Sequence, residues 1–562
     1  MNSKNKIVKL YLIMGICLAF IILCWLVFTS SLSSTRFLGH YSAFRFVAIL
    51  AVGICLIVFS LGLLFIKKDL IILIFSKLLI SKWIYFATLY FLILSLILLI
   101  NNSINLFAIP SFYFERILPI IIFVFLLTLL TVICHSIYSG NGDCFSSSIP
   151  MISPEKKINL IVLMILVGFS IAVIYHYFQG VYLLKPYPQN TFLFQPDDRF
   201  NDFLNPVKGS SDLNPFRPDK ITYKGGYLPF GYLVAFLFSL IKPWTISLIV
   251  FVLTFFFSFL HIMRLFLFGD KRRIDLRDYL SLFVLTFLSY PIIFAIDRAN
   301  FDLIICIMLF LFVLFYQKRK IVFSTVFLGI AIAIKPFAGL LILLYVIDKE
   351  YKAAAILLFN VLLLTILSLS LFKDGLIIEI QKFITDFTSA GKMIMSGSIA
   401  HFSSDLYNFL NILVAGFSQL FNIEKSAFSN SIFKLSYTIF SIIIIIGFSI
   451  YLLKNRQPLW KKLLILTCLM ILLPFASGDY RLIYFFPPLL LFLSSKDKNI
   501  HDYHLTILFG LLLIPKNYFT LNIDQNIGML INPIIIILIL ITAISNRPFV
   551  GKKTFDCMEQ NT

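Results

Sequence analysis

The stretch DRANFDLIICIMLFLFVLFYQKRKIVFSTVFLGIAIAIKPFAGLLILLYVI (297–347) decides the fold class. It holds three apolar runs, 300–316, 321–334 and 337–347, set between short polar punctuation: DRANFD, QKRK and the pair Lys335-Pro336. Similar runs recur along the chain and approach the ~20 apolar residues with which a helix spans a bilayer. The candidate spans are 7–28, 43–66, 83–100, 117–137, 158–178, 244–268, 279–297, 300–316, 321–334, 337–347, 351–372, 431–453, 459–476, 480–495, 503–515 and 528–545. The first follows a charged start, but it is longer than the ~7–15-residue apolar core of a cleaved leader and reads as a retained span. Two shorter segments, 227–242 and 405–421, read as interfacial or re-entrant helices.

Composition agrees. The chain has 562 residues, 60% hydrophobic and 13% charged, where a soluble domain carries about a quarter charged residues. The expectation is an all-α, polytopic transmembrane bundle with external loops and short interfacial helices. Its longest polar pieces, 179–226 and 373–430, are too short for a nucleotide-binding domain of about 100 residues. The net charge of +20 sits mostly in clusters at span ends, where Lys and Arg orient a chain in the bilayer, so nucleic acid is not an expected partner. The eight cysteines form no CxxC pair and avoid both long loops, which indicates neither a disulfide framework nor a zinc site.

Reading the basic clusters as cytoplasmic puts Lys67/Lys68, KRRIDLR (271–277), QKRK (317–320), Lys349/Lys352, Lys454/Arg456 and Lys461/Lys462 on one side. The unusual polar groups then collect on the other. The loop QGVYLLKPYPQNTFLFQPDDRFNDFLNPVKGSSDLNPFRPDKITYKGG (179–226) holds Asp197, Asp198, Asp202, Asp212 and Asp219. A carboxylate at the membrane edge can accept a proton from an attacking hydroxyl, a contribution of about 10²–10⁴-fold; as a simpler role, Asp202 caps a short helix. Asp212 and Asp219 lie in a Pro-rich stretch that reads as connector. In DRANFD, Asp297 and Asp302 are candidates for the wall of a polar pocket, and Asn300 is either a helix cap or part of that wall. Asp302 lies just inside an apolar run, where a charge is costly without a partner.

Lys335, flanked by apolar residues, is either a snorkelling anchor or a point charge for a phosphate, and Pro336 breaks the helix beside it. In SGDYRLIYFFPP (477–488), Arg481 suits a phosphate clamp and Tyr480 and Tyr484 suit a sugar face. In HFSSDLYNF (401–409), Ser403, Ser404 or Asp405 caps the following helix, or His401 and Asp405 join the site. No GxxxxGK[ST], HExxH or GxSxG motif occurs.

Taken in order, YLPFGYL (227–233), DRANFDL (297–303), GIAIAIKPFAGLLIL (329–343) and GDYRLIYFFPPLLLF (478–492) resemble the polytopic glycosyltransferases of the GT-C superfamily, and most of all glycosyltransferase family 87, the mannosyltransferase-like membrane proteins. The resemblance covers roughly residues 158–545. It implies a polyprenyl-phosphate sugar donor, inversion at the anomeric centre, and a base among Asp197, Asp198 and Asp202. It also implies a membrane-edge lysine at Lys335 and the span-start pair Asn300 and Asp302. One departure is plain: in many relatives the loop aspartate follows the first span, and here it follows the fifth.

The expected organisation is a four-span region of unassigned role (1–157), a GT-C-type catalytic core (158–545) and a cytoplasmic tail (546–562). The expected activity moves a hexose or pentose from the lipid donor to a lipid- or glycan-linked acceptor. The setting is a bacterial inner membrane with the active face outside the cytoplasm. Asp202 is the first candidate base and Asp198 the second. Asp197, Asp297, Asn300, Asp302 and Tyr480 line the sugar pocket, and Lys335 and Arg481 hold the phosphate. No cofactor is assigned, although acidic loops can hold Mg²⁺ through one or two carboxylates. Two alternatives stand beside this reading. An O-antigen polymerase or ligase would rely on external arginines, whereas the loops here are richer in Asp. A transporter or flippase would show repeats and midplane charges.

Overall fold

The computed structural model describes residues 153–216, 226–269, 275–395, 402–420, 430–495, 502–518, 520–522 and 525–545. The expected spans between 7 and 137, His401, Asp219 and the tail lie outside the described residues. The helices are α1 (Pro154–Tyr177), α2 (Asn201–Ser210), α3 (Pro229–Ser239), α4 (Trp244–Phe268), α5 (Leu276–Phe287), α6 (Tyr290–Arg298), α7 (Asp302–Gln317), α8 (Ile321–Ile334), α9 (Leu343–Ile347), α10 (Tyr351–Leu371), α11 (Leu376–Met395), α12 (Leu406–Leu420), α13 (Asn430–Lys454), α14 (Leu459–Leu472), α15 (Phe486–Ser494), α16 (Asp502–Leu513) and α17 (Gly528–Ser545). Short 3₁₀ runs occupy Pro196–Asp198, Pro336–Ile342 and Asp479–Phe485. The only strands among the described residues are a small antiparallel ribbon, β1 (Thr520–Asn522) with β2 (Gln525–Asn526). The fold is an all-α polytopic bundle.

Five described helices are long and apolar enough to cross a membrane: Pro154–Val181, α4, α10, Ile432–Lys454 of α13, and α17. A sixth span results if α5 and α6, bent by 47°, count as one. The apolar runs at 300–347, expected as three spans, fold differently. They form helices of 16 and 14 residues, a 3₁₀ run and a single turn. At 1.5 Å per residue even α7 rises only about 24 Å, short of the ~30 Å hydrocarbon core. Each buries one side in the bundle, with Phe310, Phe312, Leu328 and Leu344 fully buried, while α8 leaves Val322 and Phe323 exposed. Gly329 lets α8 approach α10 closely, since a Cβ there would lie 3.2 Å from Asn360 Cβ.

The chain divides into two units, residues 1–151 with 170–192 and residues 152–169 with 193–562. In the first, His176 Nδ1–H donates to the Gln189 carbonyl at 2.8 Å and its ring packs against Phe192. The second holds two polar clusters at opposite ends of its helices. At one end, where α7 and α9 finish and α14 begins, Asp348 accepts from the Tyr316 hydroxyl and the Lys462 ammonium. Nearby, Lys157 pairs with Asp502 at 2.7 Å and lies 4.0 Å over the Phe492 ring, which also meets Trp460. The other end, where α6 and α8 finish and α7 begins, carries the aspartates.

Both members of the Lys157–Asp502 pair are buried, and removing one partner strands the other charge. Asp502→Ala is therefore expected to destabilise the protein by about 3–5 kcal/mol, read as a lowered thermal inactivation temperature in membranes, while Asp348→Ala at its more exposed pair has a smaller effect.

Candidate functional site

The site starts from the corner between α6 and α7. The helix YPIIFAIDR ends in a Schellman turn: Ala299 N–H donates to Ile296 O at 2.8 Å and Asn300 N–H to Ala295 O at 3.1 Å. Ala299 takes the left-handed conformation, φ 49°, at a cost of roughly 1–2 kcal/mol for a residue with a Cβ. The sharp reversal leaves Asp297 and Arg298 on the last turn of α6, and Asn300 and Asp302 at the head of α7. All four are buried.

The loop and α2 bring in the other carboxylates. Phe194 N–H donates to Asp297 Oδ2 at 3.1 Å, Arg199 Nε–H to Asp297 Oδ1 at 2.8 Å, and Phe200 N–H to the Asp297 carbonyl at 2.9 Å. The loop is thereby tied to α6 through one residue, its carboxylate and its backbone carbonyl. On α2, Asp202 faces the corner while its neighbour Phe203 is fully buried among Phe238, Phe251 and Phe301. Arg298 joins the two segments. Nη1–H donates to Asp198 Oδ2 at 2.8 Å and Nη2–H to Asp202 Oδ1, with the guanidinium carbon 4.0 Å over the Phe194 ring. The Asp202 and Asp198 carboxylates, separated in sequence, become neighbours through this fork, not through a shared helical turn.

From Asp202 a chain of hydrogen bonds runs inward. Asn300 Nδ2–H donates to Asp202 Oδ2 at 2.7 Å; Asn300 Oδ1 accepts from Lys335 Nζ at 2.7 Å and from Asp302 N–H at 3.1 Å. Lys335 Nζ also meets Asp302 Oδ2 at 2.5 Å, and the Tyr484 hydroxyl donates to Asp302 Oδ1. Pro336 makes this geometry possible. It stops α8 at Ile334, leaving Lys335 extended (φ −144°, ψ 135°) and the Ile334 carbonyl free to accept from Leu228 N–H at 3.0 Å. Gly231 then packs against that carbonyl, only 3.1 Å from where a Cβ would sit. The YLPFGYL segment is thus the floor of the site. Lys335 lies 4.7 Å over the Tyr227 ring and 5.3 Å over the Tyr480 ring.

Arg481 is built differently. It is 6% exposed and is sandwiched by the Phe337 ring at 3.4 Å. Its Nη1–H donates to Ala476 O at 2.7 Å, while Nε is buried without a partner. Behind it, Asp479 accepts from Tyr290 at 2.6 Å, Ser404 at 2.6 Å and Asn532 at 3.1 Å. Asp405 caps α12 through Asn408 N–H at 2.7 Å and also accepts from Ser477 N–H at 2.9 Å and from Ser403. With the Ser403–Gly478 bridge, these bonds strap the start of α12 to the arginine turn.

Of the residues singled out by sequence, Asp198, Asp202, Asp297, Asn300, Asp302, Lys335 and Tyr480 converge at this corner. Asp197 does not: it is exposed and takes no part in the network. Lys335 is not a free point charge but one half of a buried ion pair with Asp302. Tyr484 is 1% exposed, so its ring is closed to a sugar. Asp212 accepts from Asn214 N–H at 3.2 Å in the local turn. Arg298 is the residue that sequence reading missed. The available signal was electrostatic: a cation between the aspartates of DRANFD, opposite a loop whose aspartates cluster in PDDRFND.

Two tests follow. Lys335→Met would leave Asp302 buried without its cation, at a cost of about 3–5 kcal/mol; Lys335→Met combined with Asp302→Leu should recover much of that stability, measured by thermal inactivation. The Asp405 carboxyl is pushed up to about 6 by burial, above its ordinary value near 3.9. Its folded form therefore holds the proton more tightly, so its stabilisation is greatest below about pH 4 and is lost as pH rises through 6. Between pH 7.5 and 5 the wild type should gain thermal stability relative to Asp405→Asn.

Residues 226–476 match the sequence model of glycosyltransferase family 87. The matched segment contains Asp297, Arg298, Asn300, Asp302 and Lys335; Asp198, Asp202 and Arg481 fall outside it. No curated protein and no solved structure matches the chain. The apolar spans and the match together identify an integral membrane glycosyltransferase that carries a family 87 region.

Proposed function

We propose that the protein transfers a hexose or pentose from a polyprenyl-phosphate donor to a lipid- or glycan-linked acceptor, with inversion, at the non-cytoplasmic face of the membrane. The acceptor hydroxyl oxygen attacks the anomeric carbon. Its proton passes to a carboxylate, the bond from that carbon to the phosphate oxygen breaks, and polyprenyl phosphate leaves. The observation that carries this reading is the pairing of Asp202 with Asp198 on Arg298. Asp202 is the preferred base because fixed donors, Arg298 and Asn300, hold both its oxygens in place while it stays partly accessible, at 22%. Preorganisation of this kind lowers the cost of reaching the reactive geometry. Asp198, 40% exposed, is the second candidate.

The buried, unpaired Nε of Arg481 supports a place for the donor phosphate, since an orphaned guanidinium donor is costly until an anion satisfies it. Lys335 then acts through Asn300, setting the position of Asp202, rather than on the phosphate itself. Tyr480, lying between the two cations, offers its ring to the sugar. Sidedness is supported by charge: the end opposite this corner carries Lys318, Arg319, Lys320, Lys349, Lys352 and Lys462, as the positive-inside pattern requires of the cytoplasmic side.

The test is transfer from radiolabelled polyprenyl-phosphate sugars in isolated membranes. Asp202→Asn should lower kcat by about 10²–10⁴-fold with little change in donor KM, whereas Arg481→Ala should raise donor KM. Full transfer by Asp202→Asn and by Asp198→Asn would sink the assignment of the base. A wild-type protein that transfers nothing from any lipid donor, yet moves solute across vesicles, would sink the activity.

A further inference from the structure

Helix α11 turns a row of large apolar side chains outward. Ile377 (74% exposed), Ile380 (36%), Ile384 (58%) and Phe387 (46%) lie three or four residues apart and share one outward face. The charged residues point the other way. Glu379 is fully buried, and Lys382 bonds to Glu379 at 3.2 Å, to Asn214 at 3.3 Å and to Asp374. Asn214 in turn donates to Asp374 at 3.2 Å, and Phe383 packs against Phe216. No charged side chain is exposed between residues 376 and 389. The polar residues of the exposed arc, Gln381, Thr385, Thr388 and Ser389, are uncharged, as suits a helix lying in the interface.

The helix is not a span. Its start is held beside α2 by Lys373 N–H donating to Leu213 O at 3.0 Å. Seven residues beyond its end, Phe402 packs on Phe194 and Phe294 at the same corner as Asp198 and Arg298. Twenty helical residues rise about 30 Å, while seven extended residues return at most about 25 Å. Helix α11 is also not among the described helices that are apolar enough to cross a membrane. The apolar face also continues an outer surface: α10, a candidate span ending five residues earlier, exposes Leu358, Phe359, Leu362, Leu367 and Leu371.

We propose that α11 is a membrane-interface helix whose Ile377–Ile380–Ile384–Phe387 face is seated in bilayer lipid, at the level of the Asp202 corner. The partner is the acyl boundary of the bilayer rather than an anionic headgroup, because the seated face is uncharged. Through Lys382 and Asn214 the seat reaches the segment that follows α2, so membrane contact and the helix that bears Asp202 are joined by side chains. This proposal goes beyond the transfer reaction and stands without it.

The experiment places p-benzoyl-phenylalanine at position 384 of the full chain in native membranes, with position 362 on α10 as lipid-facing reference and position 386 as inward control. On irradiation, positions 384 and 362 should give phospholipid adducts by mass spectrometry, in similar yield in membranes rich or poor in anionic lipid, and position 386 should give intramolecular products. A cross-linked second copy or another protein at 384, or no adduct there while 362 labels lipid, would overturn the proposal.

Discussion

The buried pair Lys335–Asp302 is the constraint on which the rest of this corner depends. Each charge alone would cost several kcal/mol to remove from water, and together they persist only because further groups satisfy them. Asn300 and Tyr484 do so, and each of these is tied to another element. Asn300 turns from α7 toward Asp202 on α2. Tyr484 belongs to the turn that carries Arg481. Meeting the electrostatic needs of one ion pair therefore fixes the relative positions of α2, α7, α8 and the 479–485 run.

The same principle orders the outer layer. Four carboxylates, Asp198, Asp202, Asp297 and Asp302, are met by three cations, Arg199, Arg298 and Lys335. Exposure rises from Asp302 through Asp202 to Asp198, so the network grades from structural at its base to chemically available at its rim. A carboxylate at the rim keeps access to a substrate hydroxyl, and the inner pairs hold it still. Behind this graded network, the strap of Ser403, Asp405, Ser477 and Asp479 is closed on itself through neutral donors, which suits a scaffold rather than a reacting centre.

Much of the local structure was legible from residue types. Pro336 ended α8 where its missing N–H and ring demand. Asn300 and Asp405 act as caps, because short polar side chains replace the backbone acceptors that a helix start lacks. What misled was length: the apolar runs between 300 and 347 read as spans, but hydropathy does not separate a lipid-facing helix from one buried among other helices. The partner of Lys335, Asp302, was not legible for a related reason. An isolated cation in an apolar run announces that it needs a partner without saying whether that partner is ligand or protein.

By itself the sequence determined the class: an all-α membrane bundle, its helix breaks and its reservoir of acidic groups, since hydropathy, proline geometry and capping act over a few neighbouring residues. Only the tertiary structure decided who meets whom. Arg298 reaches Asp202 across 96 positions and Tyr484 reaches Asp302 across 182. Such pairs depend on which helix ends converge, and that follows from packing the whole bundle while leaving no buried charge alone.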